Sequence, residues 1–163
     1  MNVRDVYWLT SEDGEKRSSG SETSFENPEF PFPQFGFRIH VLQPGEPNGL
    51  YHSESEQEDF LVLSGECRLL VEGEERVLQQ WDFFHSTPGT EHTFVGAGRG
   101  PCAILMVGGR SEKWQVTYPV SELAGLYGAS AKEQTSDPDE AYAGFEPSRL
   151  GRPSYWHRLP WAR

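Results

Sequence analysis

The chain has 163 residues, 36% of them hydrophobic and 13% aromatic, the length of one domain with a real core. Its 25 acidic and 14 basic residues leave a formal charge of -11, a field that repels phosphate backbones and anionic lipid and argues against nucleic-acid or membrane partners. No apolar run approaches the roughly 20 residues of a membrane-spanning helix, and two cysteines, Cys67 and Cys102, without CxxC spacing, do not make a disulfide scaffold.

The first residues lack the apolar stretch and cleavage site of a signal peptide, so a cytoplasmic location is expected. Residues 1–35 read as an extended arm. Within it, residues 11–34 are rich in Ser, Glu, Gly and Pro, and prolines deny that segment a ladder of donors, so neither strand nor helix is predicted there. Phe25, Phe30, Phe32 and Phe35 are expected to lie along the domain or a partner subunit.

From residue 36 to 118 the texture changes to short runs of period two broken by turn residues. Strands are predicted over 37–42, 59–63, 67–71, 76–78, 81–86, 92–95, 103–107 and 114–118. Eight short strands at such spacing mean an antiparallel sandwich or barrel, and the lack of intervening helical patterns disfavours a parallel sheet. Residues 119–163 form a C-terminal segment. Ser121 can cap a helix ended by Gly128, and Asp137 can cap a second with Pro138 in its first turn. The aromatic tail, with Tyr155, Trp156 and Trp161, is expected to dock on the barrel or across a dimer.

The chemistry concentrates around residues 44–65. In an extended chain alternate side chains share a face, so His52 and Glu54 point the same way, and Glu58 opens the next strand with Phe60 and Val62 on its side. His92 follows the Pro88-Gly89 turn. One sheet pocket can therefore gather two imidazoles and one or two carboxylates, a donor set for a first-row metal with positions left for a substrate. Glu54 also lies in the acidic run 53–59, where a solvated loop is the plain alternative. Phe60, Val62, Phe84 and Phe94 are expected as apolar walls. Pleating turns His85 outward, His40 reads as an ordinary sheet-face histidine, His157 as surface, and the cysteines as buried inert thiols.

These residues resemble the cupin family. Its first motif, G-x5-H-x-H-x3,4-E-x6-G, is met by His52, Glu58 and Gly65, with Glu54 in place of the second histidine and Gly45 one residue further upstream. Its second, G-x5-P-x-G-x2-H-x3-N, is met by Gly89 and His92, with Trp81 at the first glycine, Pro88 shifted by one and Gly96 for asparagine; fifteen residues separate Gly65 from Trp81. The resemblance implies an all-β, double-stranded antiparallel jelly-roll barrel over residues 36–118, usually a homodimer. It also implies a divalent metal (Fe, Mn, Ni or Zn) held by His52, Glu54, Glu58 and His92, and a small-molecule ligand. Dioxygenase-like or isomerase-like chemistry follows from a working metal, and a non-catalytic binding module is the alternative. The missing histidine moves weight toward the binder. No catalytic residue is assigned.

Overall fold

The computed structural model describes residues 2–11, 20–26 and 29–162. The N-terminal segment contributes β1 (Leu9–Thr10) and β2 (Ser21–Ser24). The barrel strands are β3 (Phe35–Leu42), β4 (Ser53–Glu54), β5 (Glu58–Ser64), β6 (Glu66–Val71), β7 (Glu74–Gln79), β8 (Phe83–Ser86), β9 (His92–Ala97), β10 (Cys102–Gly109) and β11 (Val116–Thr117). Two single-turn helices, α1 (Glu122–Gly125) and α2 (Pro138–Ala141), precede β12 (Arg149–Leu150) and a final 3-10 turn (Trp156–Arg158). Every pairing is antiparallel. One sheet runs β12-β1-β2-β3-β10-β5-β8, a second β7-β6-β9, and β11 pairs with β4 alone. The fold is the expected all-β jelly roll.

Alternation explains how the two larger sheets close on each other. Leu42, Phe60, Val62, Ile104 and Met106 project from the large sheet and meet Cys67, Leu69, Val71 and Phe94 from the small one. Both cysteines are fully buried in this layer, as expected of inert thiols. The other face of β3 and β10 carries Ile39, Val41 and Ala103 into a second cluster with Trp8, Tyr155 and Leu159. The tail therefore docks, with Trp156 and Trp161 packed against that cluster and His157 exposed. Both predicted helix caps form: Ser121 Oγ accepts from the Ala124 N–H and the Asp137 carboxylate from that of Asp139.

The arm departs from expectation. Ser21–Ser24 is a strand, pairing Glu22 with His40 and Thr23 with Ile39 on β3. The physical reason is position: Pro31 and Pro33 fall after the paired stretch, so β2 keeps all its donors. Of the four phenylalanines, Phe25 packs into the outer cluster and Phe32 meets Phe37, whereas Phe30 is 72% exposed. Residues 12–19 and 27–28 of that reading lie outside the described residues.

The motif glycines and their substitutes have backbone reasons. Gly65 has φ of 80° and a Cβ there would come within 2.6 Å of the Pro101 carbonyl oxygen, so only glycine fits between β5 and β6. Trp81, at the place of a motif glycine, holds φ of 76°, the left-handed region glycine favours. Holding a residue with a Cβ in that region costs roughly 1–2 kcal/mol.

Candidate metal centre and its cavity

His52 and His92 face each other because their backbones do. His52 donates its N–H to the His92 carbonyl at 3.1 Å and His92 returns the bond at 2.8 Å. Their ring centroids stand 5.2 Å apart. Glu58, at the start of β5 opposite Gly108 and Ser86, brings its carboxyl 3.4 Å from His92 Nε2. One ligand atom from each of His52, Glu58 and His92 lies within 4.8 Å of the others.

The tautomers are set by the main chain. His52 Nδ1 donates to the Leu50 carbonyl at 2.7 Å, and His92 Nδ1 to the Thr90 carbonyl at 3.0 Å. Carbonyl oxygens only accept, so both Nδ1 atoms carry hydrogen and both Nε2 lone pairs are free. Burial lowers the His52 pKa, and burial together with His52 takes His92 down to about 4. Burial and then the neighbouring Glu54 charge push Glu58 up to about 8. At neutral pH the Glu58–His92 contact is therefore between two neutral groups, not an ion pair.

Glu54 stands beside this group with its two oxygens divided. Oε1 lies 3.8 Å from His52 Nε2, and Oε2 accepts from Trp114 Nε1 at 2.7 Å. It lines the cavity with the other three sequence-predicted residues.

That cavity measures about 570 Å³. Its apolar lining is Phe60, Met106, Trp114 and Pro138, and its polar lining includes Asn48, Tyr118, Tyr142, Arg38 and His40. Phe60 is thus the one expected wall residue that lines it; Val62, Phe84 and Phe94 pack into the core behind. His85 faces outward, as predicted, with Nδ1 2.7 Å from Asp59 Oδ1. His40 differs from its plain reading: it lies on the inner face of β3, in register with Ile104, and reaches the cavity. Its alternation with Leu42 was the available signal. Tyr118, Pro138 and Tyr142 come from the end of the barrel and the segment after it, where no local pattern marks them.

Residues 38–108 match the family model described as the Cupin domain. No curated protein sequence matches the chain. Among solved structures, a sugar phosphate isomerase of the cupin superfamily from Silicibacter pomeroyi superposes with a TM-score of 0.58 at 20% identity, covering 71% of this chain and 78% of that one. A putative sugar phosphate isomerase from Acidithiobacillus ferrooxidans gives 0.53 at 21% identity, over 66% and 78% of the two chains. A polyketide cyclase from Streptomyces resistomycificus gives 0.56 at 12% identity, over 99% and 94%. At such identities the likeness is one of fold. Family match, strand order and superposition agree that residues 38–108 of this chain resemble a cupin domain in sequence pattern and have its fold.

Proposed function

We propose that the chain binds a divalent transition metal through His52, Glu58 and His92, with Glu54 as the fourth candidate, and acts on a small molecule held in the adjoining cavity. The observation that carries this reading is the convergence of two neutral Nε2 lone pairs and a carboxyl within 4.8 Å on the wall of that cavity. Two imidazoles and two carboxylates suit Fe(II), Mn(II), Ni(II) or Zn(II). When bound, such an ion supplies Lewis-acid polarisation of an oxygen on the bound molecule.

The chain's own residues do the rest. The Leu50 and Thr90 carbonyls fix both imidazoles in the ligating tautomer. Tyr142 accepts from the Leu50 N–H at 3.0 Å, which leaves its own O–H free to donate. Phe60, Met106 and Trp114 give the cavity an apolar wall for the molecule held there. Isomerase-like or cyclase-like chemistry, as named for the similar structures, needs no external oxidant and is the reaction class we favour. The binder reading draws on one observation, the engagement of Glu54 Oε2 by Trp114 where the family pattern has a histidine.

Metal analysis of protein purified without a nickel column separates the two. Near-stoichiometric metal is expected, with His52→Ala and His92→Ala each lowering it by roughly tenfold or more while the circular dichroism spectrum stays unchanged. Trace metal, equal in wild type and both variants, would remove the metalloenzyme. A homodimer in the cytoplasm belongs to the same proposal, and light scattering that gives the monomer mass at micromolar concentration would remove the dimer.

A further inference from the structure

Away from the two imidazoles and the carboxyls, the cavity wall is made of hydrogen-bond donors, and none of them belongs to the metal group. Alternation turns Arg38 inward on β3, where it stands opposite Met106 of β10; Met106 in turn stands opposite Phe60 of β5, the ring beside His92. In the next inward row Gly36, Gly108 and Glu58 lie side by side across the same three strands. A Cβ at Gly108 would meet nothing within 4 Å, so the floor between Glu58 and β3 is open. Two strand spacings, about 10 Å of backbone, separate β5 from β3.

Arg38 is the donor with most to give. Its guanidinium comes no closer than 3.5 Å to Glu22 Oε2, beyond ordinary hydrogen-bond length, and that oxygen already lies 2.9 Å from His40 Nε2. Burial pushes the Glu22 carboxyl up, but His40 and then the Arg38 charge outweigh it and take the group down to about 2. Glu22 thus feels Arg38 as a charge and leaves its N–H groups unused; among the described residues Arg38 makes no hydrogen bond.

Three neutral donors continue the wall. The Phe94 N–H can only donate, so the Asn48 atom it meets at 2.7 Å is Oδ1, and Asn48 Nδ2 is left with the Met106 sulfur at 3.9 Å, a weak acceptor. The Tyr118 side chain is 7% exposed, lines the cavity and makes no hydrogen bond among the described residues; burial first, then Tyr142 and Glu54, push its phenol up, so it keeps its proton. Tyr142 has its own O–H free, as above. Donors that face a cavity without acceptors are completed by a ligand that brings them.

We propose that the molecule held in the cavity carries a carboxylate, seated on Arg38 and Asn48 around Met106, with its apolar body over Gly108 toward the metal group; this rests on the cavity being a small-molecule site. A guanidinium presents the planar fork that a carboxylate matches. A single negative charge fits better than a phosphate dianion. Among the described residues no lysine lines the cavity, the other lining arginine, Arg110, is held by both oxygens of Glu26, and the chain carries a charge of -11.

The probes are benzoate, benzamide and phenyl phosphate, titrated by calorimetry into the full chain as purified. Benzoate is expected to bind roughly tenfold or more tighter than benzamide, which keeps the ring and loses the charge. Arg38→Gln should cost benzoate about tenfold or more, leave benzamide unchanged and leave bound metal unchanged; Arg38→Lys should recover only part, because an ammonium lacks the fork. Arg76→Gln, on the outer strand β7, should change nothing. Equal benzoate affinity in wild type and folded Arg38→Gln overturns the proposal, as does benzoate binding lost in His92→Ala but kept in Arg38→Gln, which would put the carboxylate on the metal. Tighter binding of phenyl phosphate than of benzoate overturns the choice of carboxylate. Benzamide binding as well as benzoate overturns the anion site and spares the cavity reading. No binding of any probe overturns both, while metal content still reports on the metal group by itself.

Discussion

Affinity for a divalent ion is expected to climb about a hundredfold between roughly pH 6 and pH 8, because binding must expel one proton from Glu58. Glu58 holds its proton up to about 8, whereas His92 is already neutral above about 4 and His52 is likewise depressed by burial. One proton per ion gives roughly tenfold per pH unit, ending where Glu58 ionises unaided. Calorimetry of Zn(II) or Mn(II) binding in buffers of different ionisation heat reads the proton directly. Glu58→Gln should abolish its release and weaken binding at every pH. A flat affinity across this range would mean that Glu58 is not displaced by the metal.

The metal-free chain carries the same linkage with the opposite outcome for stability. Glu58 is raised above its ordinary 4.5, so between about 4.5 and 8 the folded state holds more protons than the unfolded one, and stability falls as pH rises. His92 is lowered from 6.5 to about 4, so its contribution grows with pH over that interval. The two oppose each other up to about 6.5. Above it Glu58 alone acts, and Glu58→Gln should remove the decline. At the acid end Glu22, ordinarily 4.5 and here about 2, loses its stabilisation as pH falls through that window.

Much of this is legible in the sequence, and the reasons are local. Period-two runs bounded by Pro-Gly, Ser-Gly and Glu-Gly turns placed the barrel strands other than the two-residue β4 to within a residue or two, because alternation and turn chemistry act over short spans. His52, Glu58 and His92 were readable from spacing. What spacing does not carry is which oxygen of Glu54 is committed; that depends on Trp114, sixty residues away in sequence. The same holds for Glu22, whose meaning appears only when β2 pairs with β3 and sets it against His40. Tyr142 lines the cavity because its segment folds back onto Leu50 through one phenolic oxygen, a contact with no periodic signature. Local rules found the scaffold and the first donors; side chains that tune them arrive from distant segments.

The C-terminal tail should matter to stability more than its irregular backbone suggests. Trp8 is 2% exposed, and what covers it is the tail: Trp161 stacks at 5.6 Å, Trp156 meets it edge-on at 5.3 Å, and β12 pairs with β1. Arg152 lies 4.4 Å over the Trp156 ring, and Tyr155 donates to Ser21 Oγ at 3.1 Å, tying the tail to β2 as well. Deleting residues 149–163 would return Trp8, Ile39 and Val41 to water. Re-exposing even two large side chains costs about 4 kcal/mol. In a chain of this length that lowers the melting temperature by about 10 °C. Trp8→Ala should cost a similar amount, roughly 3–5 kcal/mol. Because both changes break one cluster, combining them should cost well under their sum. Metal bound per folded chain should stay constant in all three, since the cluster lies on the opposite face of β3 from the cavity. Full additivity, or a melting temperature unmoved by the deletion, would show that Trp8 is stabilised by the barrel alone and that the tail serves some other surface.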